Sequence, residues 1–451
     1  MVSHAGYPRR SGNQVIPWID GVPFYERLLA AIRGARVRVW AVVSFIDPEF
    51  CFPDGTTWWA LLDECAARGV DVRVLYWRNP QFFKTAHVFL GGPADREFLR
   101  RRGATWAARW DSSSVDAGHC HHQKAYVLDA EEDGALAFVG GMVLSRATMA
   151  LPGHPHGLEK HDAMVELRGP VVFDAAHNFV QRWNLARIDA EAPPWPDELR
   201  AGLLPWPRRV PEAAGESAVQ LTRTVKAGLY ESAEGEATIR EHYIDAFAGA
   251  RRTIYIENQH PGEHSLLIEL ERALQRGVKV VMVVPAVPMG AIYAAAAEVA
   301  ALGEAFDGHR YGSTFRRLAA LQGYPGFTLA ALARSDPGGG HREIYTHAKL
   351  AVVDGEWATI GSANLVDLSM LADHTELNAS IWDTDVAMRL LGQLVEEHTG
   401  EVVRDDVAAL LAVARSARAS RASLMRGGPV LAGCYALDAA RYGLDPPLTG
   451  G

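Results

Sequence analysis

The chain repeats its own plan. Residues 28–40, LLAAIRGARVRVW, return in pattern at 243–255, YIDAFAGARRTIY. Each reads as a helix, a Gly-Ala-Arg turn and a strand. Ala67–Val74 matches Gln275–Met282: a helix end, a glycine stop and an apolar strand. HHQKAYVLD at 121–129 matches THAKLAVVD at 346–354, and AFVGGMVLS at 137–145 matches ATIGSANLV at 358–366. The matches keep the same order in both halves, so the sequence predicts one α/β unit built twice. Helices between the strands imply a mixed β-sheet flanked by helices in each of two similar lobes. We expect a first lobe over 21–189, a connection over 190–217, a second lobe over 218–405 and an extension over 406–451. The connection holds Pro193, Pro194, Pro196, Pro205, Pro207 and Pro211, too many for a helix or a central strand. The start of the extension, 406–425, reads as a helix.

The repeat carries chemistry. His122, Lys124 and Asp129 recur with the same spacing as His347, Lys349 and Asp354. Random placement would give only about 0.01 such triples in a chain of this composition. The chain has six lysines among its 45 basic residues, and two of the six stand in these triples. A compact ammonium is wanted where the planar fork of Arg would not fit. On a strand, residues i and i+2 share a face, so each His projects beside its Lys. That pair suits a phosphate: Lys neutralises oxygens while the imidazole attacks or protonates. With two copies, one imidazole can form a covalent phosphohistidine and the other can protonate the leaving oxygen. Two lysines can stabilise the transition state without a metal. His119, Cys120, His121 and His122 alternate across a strand and do not converge on one ion. His154, His156 and His161 form no helical metal motif either. No metal and no cofactor are expected.

The duplicated His-x-Lys-x4-Asp triple resembles the mark of the phospholipase D superfamily. The resemblance covers roughly residues 25–400. Ile254–Gln259 looks like the family's strand before the second motif, and Gly361-Ser362-Ala363-Asn364 like its G-S-x-N turn. His121–Lys124 and Phe138–Gly141 look like the phospholipid-cleaving, cardiolipin synthase-like branch. The resemblance implies two lobes in a pseudo-twofold arrangement with the active site between them. It implies His122 as nucleophile and His347 as general acid and then base. Lys124, Lys349, Asn364 and Ser362 would hold the phosphate. Asp129 and Asp354 complete the catalytic motifs but lie back from the phosphate and brace the fold. A downstream acid would orient each imidazole, with Asp162 and Glu376 as candidates. One departure stands out: Val143 and Gly141 occupy the places of Asn364 and Ser362, so the first lobe offers fewer polar contacts.

The expected activity is therefore cleavage or transfer of a glycerophospholipid head group, with water or an alcohol as acceptor. A nuclease or other phosphodiesterase is the alternative; an inactive lipid-binding module is opposed by two intact His-Lys pairs. A net charge of −9 is a poor basis for binding nucleic acid, which needs a broad basic surface. Ten of twelve tryptophans lie at or before Trp206. Trp40 and Trp77 read as core, whereas Trp106 and Trp110 are expected at the pocket mouth. The run Ala291–Leu302, followed by Tyr311 and Pro337–Gly340, reads as a lid or binding wall. The four scattered cysteines suggest neither disulfides nor a zinc site. No signal peptide or membrane span is visible. A monomer is expected, cytoplasmic or at a membrane surface, with leaderless export also compatible.

Overall fold

A computed structural model describes residues 6–78, 89–111, 120–156, 159–186, 202–230, 232–288, 312–336, 340–371 and 374–443. The first half contains strands β1 (Arg10–Ile19), β2 (Arg38–Val43), β3 (Asp71–Trp77), β4 (Ala107–Asp111), β5 (Cys120–His121), β6 (Ala125–Leu128), β7 (Leu136–Gly140) and β8 (Ala163–Arg168). The second contains β9 (Ser217–Val225), β10 (Glu236–Ala237), β11 (Thr253–Asn258), β12 (Lys279–Val283), β13 (Phe327–Ser335), β14 (His341–Ile344), β15 (Lys349–Val353), β16 (Trp357–Gly361), β17 (His374–Trp382) and β18 (Cys434–Ala436).

Pairing orders the first sheet β1-β8-β7-β6-β2-β3-β4, with β2, β3 and β4 parallel and the other pairs antiparallel. The second sheet repeats this order as β9-β17-β16-β15-β11-β12-β13, with β11, β12 and β13 parallel. The sheets meet where β1 pairs with β9, Arg10 opposite Val219 and Asn13 opposite Ser217. The expected mixed sheet flanked by helices is therefore present in each half. The helices Trp58–Ala67 and His264–Gln275 each end just before a glycine in the left-handed region, Gly69 at φ 83° and Gly277 at φ 88°. Gly stops the helix there because it has no Cβ to clash.

The parallel strands are buried on both faces, which is why Val39–Val43 and Val280–Val283 read as unbroken apolar runs. One hydrophobic cluster joins the lobes: Val139 and Val165 of the first share it with Ile360 and Leu377 of the second. The lobes are thus cemented by apolar surface, with the motif strands at the seam. Trp40 and Trp77 lie in the core as expected. Trp106 and Trp110 do not line a pocket mouth; they are buried, and Trp106 stacks on Trp59 and donates to Asp63. An indole this large gains more by filling the core than by facing water. The four cysteines are free. Beyond the helix Asp406–Leu424, β18 adds a strand to β13. The run Ala291–Leu302, Tyr311 and residues 187–201 of the connection lie outside the described residues. No helix among the described residues is long and apolar enough to cross a membrane.

Candidate active site

The two motifs stand on matching elements. His122 and Lys124 lie between β5 and β6; His347 directly precedes β15, which opens with Lys349. The imidazoles are therefore not inside a regular strand, as the spacing suggested. Their backbone N–H groups are committed elsewhere. His122 N–H donates to Thr375 O at 3.0 Å and His347 N–H to His161 O at 2.7 Å, each crossing to the other lobe. The i, i+2 relation survives: each lysine Nζ donates to the carbonyl of its own motif histidine.

The orienting acids are exchanged between the lobes. His122 Nδ1 lies 3.0 Å from both oxygens of Glu376. His347 Nδ1 lies 2.6 Å from Asp162 Oδ2. Both candidate acids do face an imidazole, but neither faces the one upstream in its own lobe. The crossing follows from the backbone contacts: Thr375 and His161, which receive the two N–H groups, are the residues just before Glu376 and Asp162. Docking each motif on the partner strand brings the next side chain onto the imidazole.

Ser362 was expected to touch phosphate. It is fully buried and donates to Glu376 Oε2 at 2.5 Å, while Ser369 donates to Oε1 at 2.6 Å. Ser362 thus holds the acid that holds His122. The first lobe uses Gly141 at the matching place for a steric reason: a Cβ there would lie 2.3 Å from Asp162 Oδ1. Asn364 is 6% exposed, and its Oδ1 has no hydrogen-bond partner among the described residues, which leaves it available to a ligand.

The motif aspartates do not enter the site. Asp129 accepts the backbone N–H groups of Arg36, Val37 and Arg38; Asp354 accepts those of Arg251, Arg252 and Thr253. Each ties the turn before a central strand to the end of a motif strand. Both adopt left-handed backbone, φ 49° and 52°, a conformation Asp tolerates better than most residues. Through these contacts each aspartate anchors the backbone around its motif strand.

Burial governs the charges. It pushes Lys124 down to about 8 and Lys349 down to about 7, against the pull of Glu376 and Asp162 respectively. It likewise pushes His122 down to about 4 despite Glu376, and His347 well below its usual value, helped by Lys349. Glu376 stays ionised: burial opposes its charge, but His122 and its hydrogen bonds hold it well below the usual carboxylate range. Asp162 behaves differently, lifted by burial to about 6 despite Lys349. A bound phosphate beside these two buried lysines would favour their charged forms.

Residues outside the motifs complete the site. Gln259 Oε1 accepts from Lys349 at 3.3 Å. Phe45 lies edge-on to His122 and under Lys124 Nζ at 5.9 Å. His374 stands 3.8 Å from Glu376. Gln123 bonds the backbone of Glu376 and the side chain of Asn178. Phe45, His374 and Gln123 carry no pattern that marks them in sequence; their places are set by the docked lobes.

Two imidazoles backed by carboxylates, with a lysine beside each and the sheet order repeated around them, fit the resemblance to enzymes of the phospholipase D superfamily that the duplicated motif carries. The comparisons point to the cardiolipin synthases as relatives: residues 243–396 match the family model described as "Cardiolipin synthase, PLD-like domain". The chain is 27% identical over 407 residues to cardiolipin synthase A of Pseudomonas putida, covering 88% of this chain and 71% of that protein. It is 28% identical to the enzyme of strain W619, where it spans 63% of the relative's length. With cardiolipin synthase B of Escherichia coli K12 it shares 26% identity over 89% of this chain and 81% of the other. The fold resembles the solved phosphatidylserine synthase of Haemophilus influenzae, with a TM-score of 0.56, 13% identity and 85% of each chain covered.

Proposed function

We propose that the protein transfers the phosphatidyl group of a glycerophospholipid to an alcohol or to water through a covalent phosphohistidine. The observation that carries this reading is the pair of imidazoles, each oriented at Nδ1 by the other lobe's carboxylate. A hydrogen bond at Nδ1 leaves the Nε2 lone pair for chemistry.

The asymmetry of the acids assigns the roles. Ionised Glu376 favours Nδ1–H on His122 and stabilises the charge that develops when Nε2 bonds phosphorus. Asp162 ionises less readily, so the His347–Asp162 pair retains a proton more easily, as a general acid requires. His122 Nε2 attacks phosphorus, the ester bond to the head group breaks, and the departing oxygen takes its proton from His347. His347 then removes a proton from the acceptor hydroxyl, whose oxygen displaces His122 from phosphorus. Lys124, Lys349 and Asn364 would hold the non-bridging oxygens through both steps.

Phosphatidyl transfer to a lipid-borne hydroxyl fits the cardiolipin synthases that this chain is similar to. The test uses purified protein with phosphatidylglycerol vesicles, with and without ethanol, and mass spectrometry of the lipids. Cardiolipin or phosphatidylethanol formed by the protein, and lost in His122→Ala, is the expected result. Phosphatidic acid alone would make the protein a hydrolase. No lipid product, with cleavage of an oligonucleotide instead, would overturn the lipid reading.

A further inference from the structure

A second cluster of ionisable side chains lies behind the catalytic pair, and the reaction does not use it. Asp20, at the end of β1, meets His154 and His161 of the first lobe and Glu397 of the helix Thr384–Thr399 in the second. Asp20, His154 and His161 are no more than 1% exposed.

We propose that these four residues bind one divalent transition-metal ion, zinc being the best match to two imidazoles and two carboxylates. The ion would tie the two lobes together and fix the segment that carries Asp162, just before β8.

The distances are those of a coordination shell. His154 Nε2 lies 3.3 Å from His161 Nδ1, 3.2 Å from Asp20 Oδ2 and 3.5 Å from Glu397 Oε1. His161 Nδ1 lies 3.0 Å from Asp20 Oδ1 and 3.8 Å from Glu397 Oε1. Four ligands on a tetrahedron with metal bonds near 2.0 Å are separated by about 3.3 Å. Yet neither oxygen of Asp20 accepts a hydrogen bond of normal geometry. One ligand atom from each of the four residues lies within 4.8 Å of the others.

The surrounding shell supports the same reading. His161 Nε2 bonds Glu257 Oε2 at 2.8 Å, so that with the proton on Nε2 the Nδ1 lone pair would face the cluster and a bound ion. Glu257 is in turn held by His398 at 2.8 Å and Tyr255 at 2.5 Å. A carboxylate behind a ligating histidine is the usual support of a metal site. Glu397 is steadied by the Gly153 N–H at 3.0 Å. Asp20 and His154 both sit in left-handed backbone, φ 62° and 48°, a strain held at sites that need it. The rival arrangement is an ion-pair network in which a charged His161 bridges Asp20 and Glu257.

The full chain is expressed with zinc in the medium, purified without a metal-affinity resin, and measured for metals by mass spectrometry. It is then stripped with a strong chelator and titrated with zinc and cobalt. The expected results are about one zinc per chain, a cobalt spectrum of a four-coordinate nitrogen and oxygen site, and a melting temperature several degrees lower after stripping. His154→Ala and Asp20→Asn should each weaken zinc uptake at least tenfold, while His374→Ala retains it. Absence of uptake by the parent protein would establish the ion-pair network instead. Uptake unchanged in folded His154→Ala and Asp20→Asn would also overturn the proposal. If those variants do not fold, the cobalt spectrum of the parent decides: a six-coordinate spectrum refutes the site.

Discussion

Replacing Glu376 with Gln keeps the shape of the side chain and removes its charge. Glu376 is fully buried, and its carboxylate lies 3.0 Å from His122 Nδ1. Two unit charges at that distance interact by about 5 kcal/mol at an effective dielectric constant near 20. The amide oxygen keeps part of the attraction through its dipole, leaving a loss of about 3–5 kcal/mol as positive charge develops on His122. That corresponds to a fall of about 10²- to 10⁴-fold in kcat, with KM little changed because the lysines that bind phosphate are untouched. A phosphatidyl p-nitrophenol substrate sharpens the test, since its leaving group needs no proton. With it, Asp162→Asn should retain a burst of nitrophenol while Glu376→Gln loses it. A loss below tenfold in Glu376→Gln, or a burst lost only in Asp162→Asn, would refute the crossed assignment of acids to imidazoles.

Four further outcomes follow from the geometry. With His122 at about 4 and Lys349 at about 7, kcat/KM should fall as pH drops through about 4, where His122 gains a proton. It should fall again as pH rises through about 7–8, where the lysines lose theirs; a rate profile centred on an unperturbed histidine would contradict this. Lys349→Ala should cost at least 10² in kcat/KM, and Lys349→Arg should not rescue it, because the pocket is built for a compact ammonium. Asp129→Asn should lower stability by about 1–3 kcal/mol in urea unfolding with kcat retained, since its hydrogen bonds brace a partly exposed turn. Gly141→Ala should drive Asp162 from His347 and reduce kcat at least tenfold, with the protein still folded by circular dichroism.

The sequence made the repeated unit legible because a duplicated pattern is evidence independent of any single propensity. His122, Lys124, His347 and Lys349 were legible for the same reason. Asp162 and Glu376 could be nominated, since each follows a motif in its own half. Their partners could not, because the exchange depends on how the finished lobes dock. Ser362 was read as a phosphate contact from its place in a turn, but its hydroxyl turns inward to a carboxylate that only the fold brings near. Trp106 and Trp110 misled through their Gly- and Ser-containing neighbourhood; at and just before β4, they pack against Trp59, Tyr76 and Phe89, which the fold brings near. Asp20 and Glu397 lie far along the chain from His154 and His161, and no spacing rule joins the four.

The crossed carboxylates also set the moment at which the protein becomes reactive. Until residues 374–376 have been synthesised, His122 lacks both Glu376 and the Thr375 carbonyl that receives its N–H. His347, when it emerges, finds its acid already waiting in the finished lobe. Reactivity therefore arrives only when translation is nearly complete and the halves have closed on each other. A chain cut short before Glu376 would carry His122 without its counter-charge.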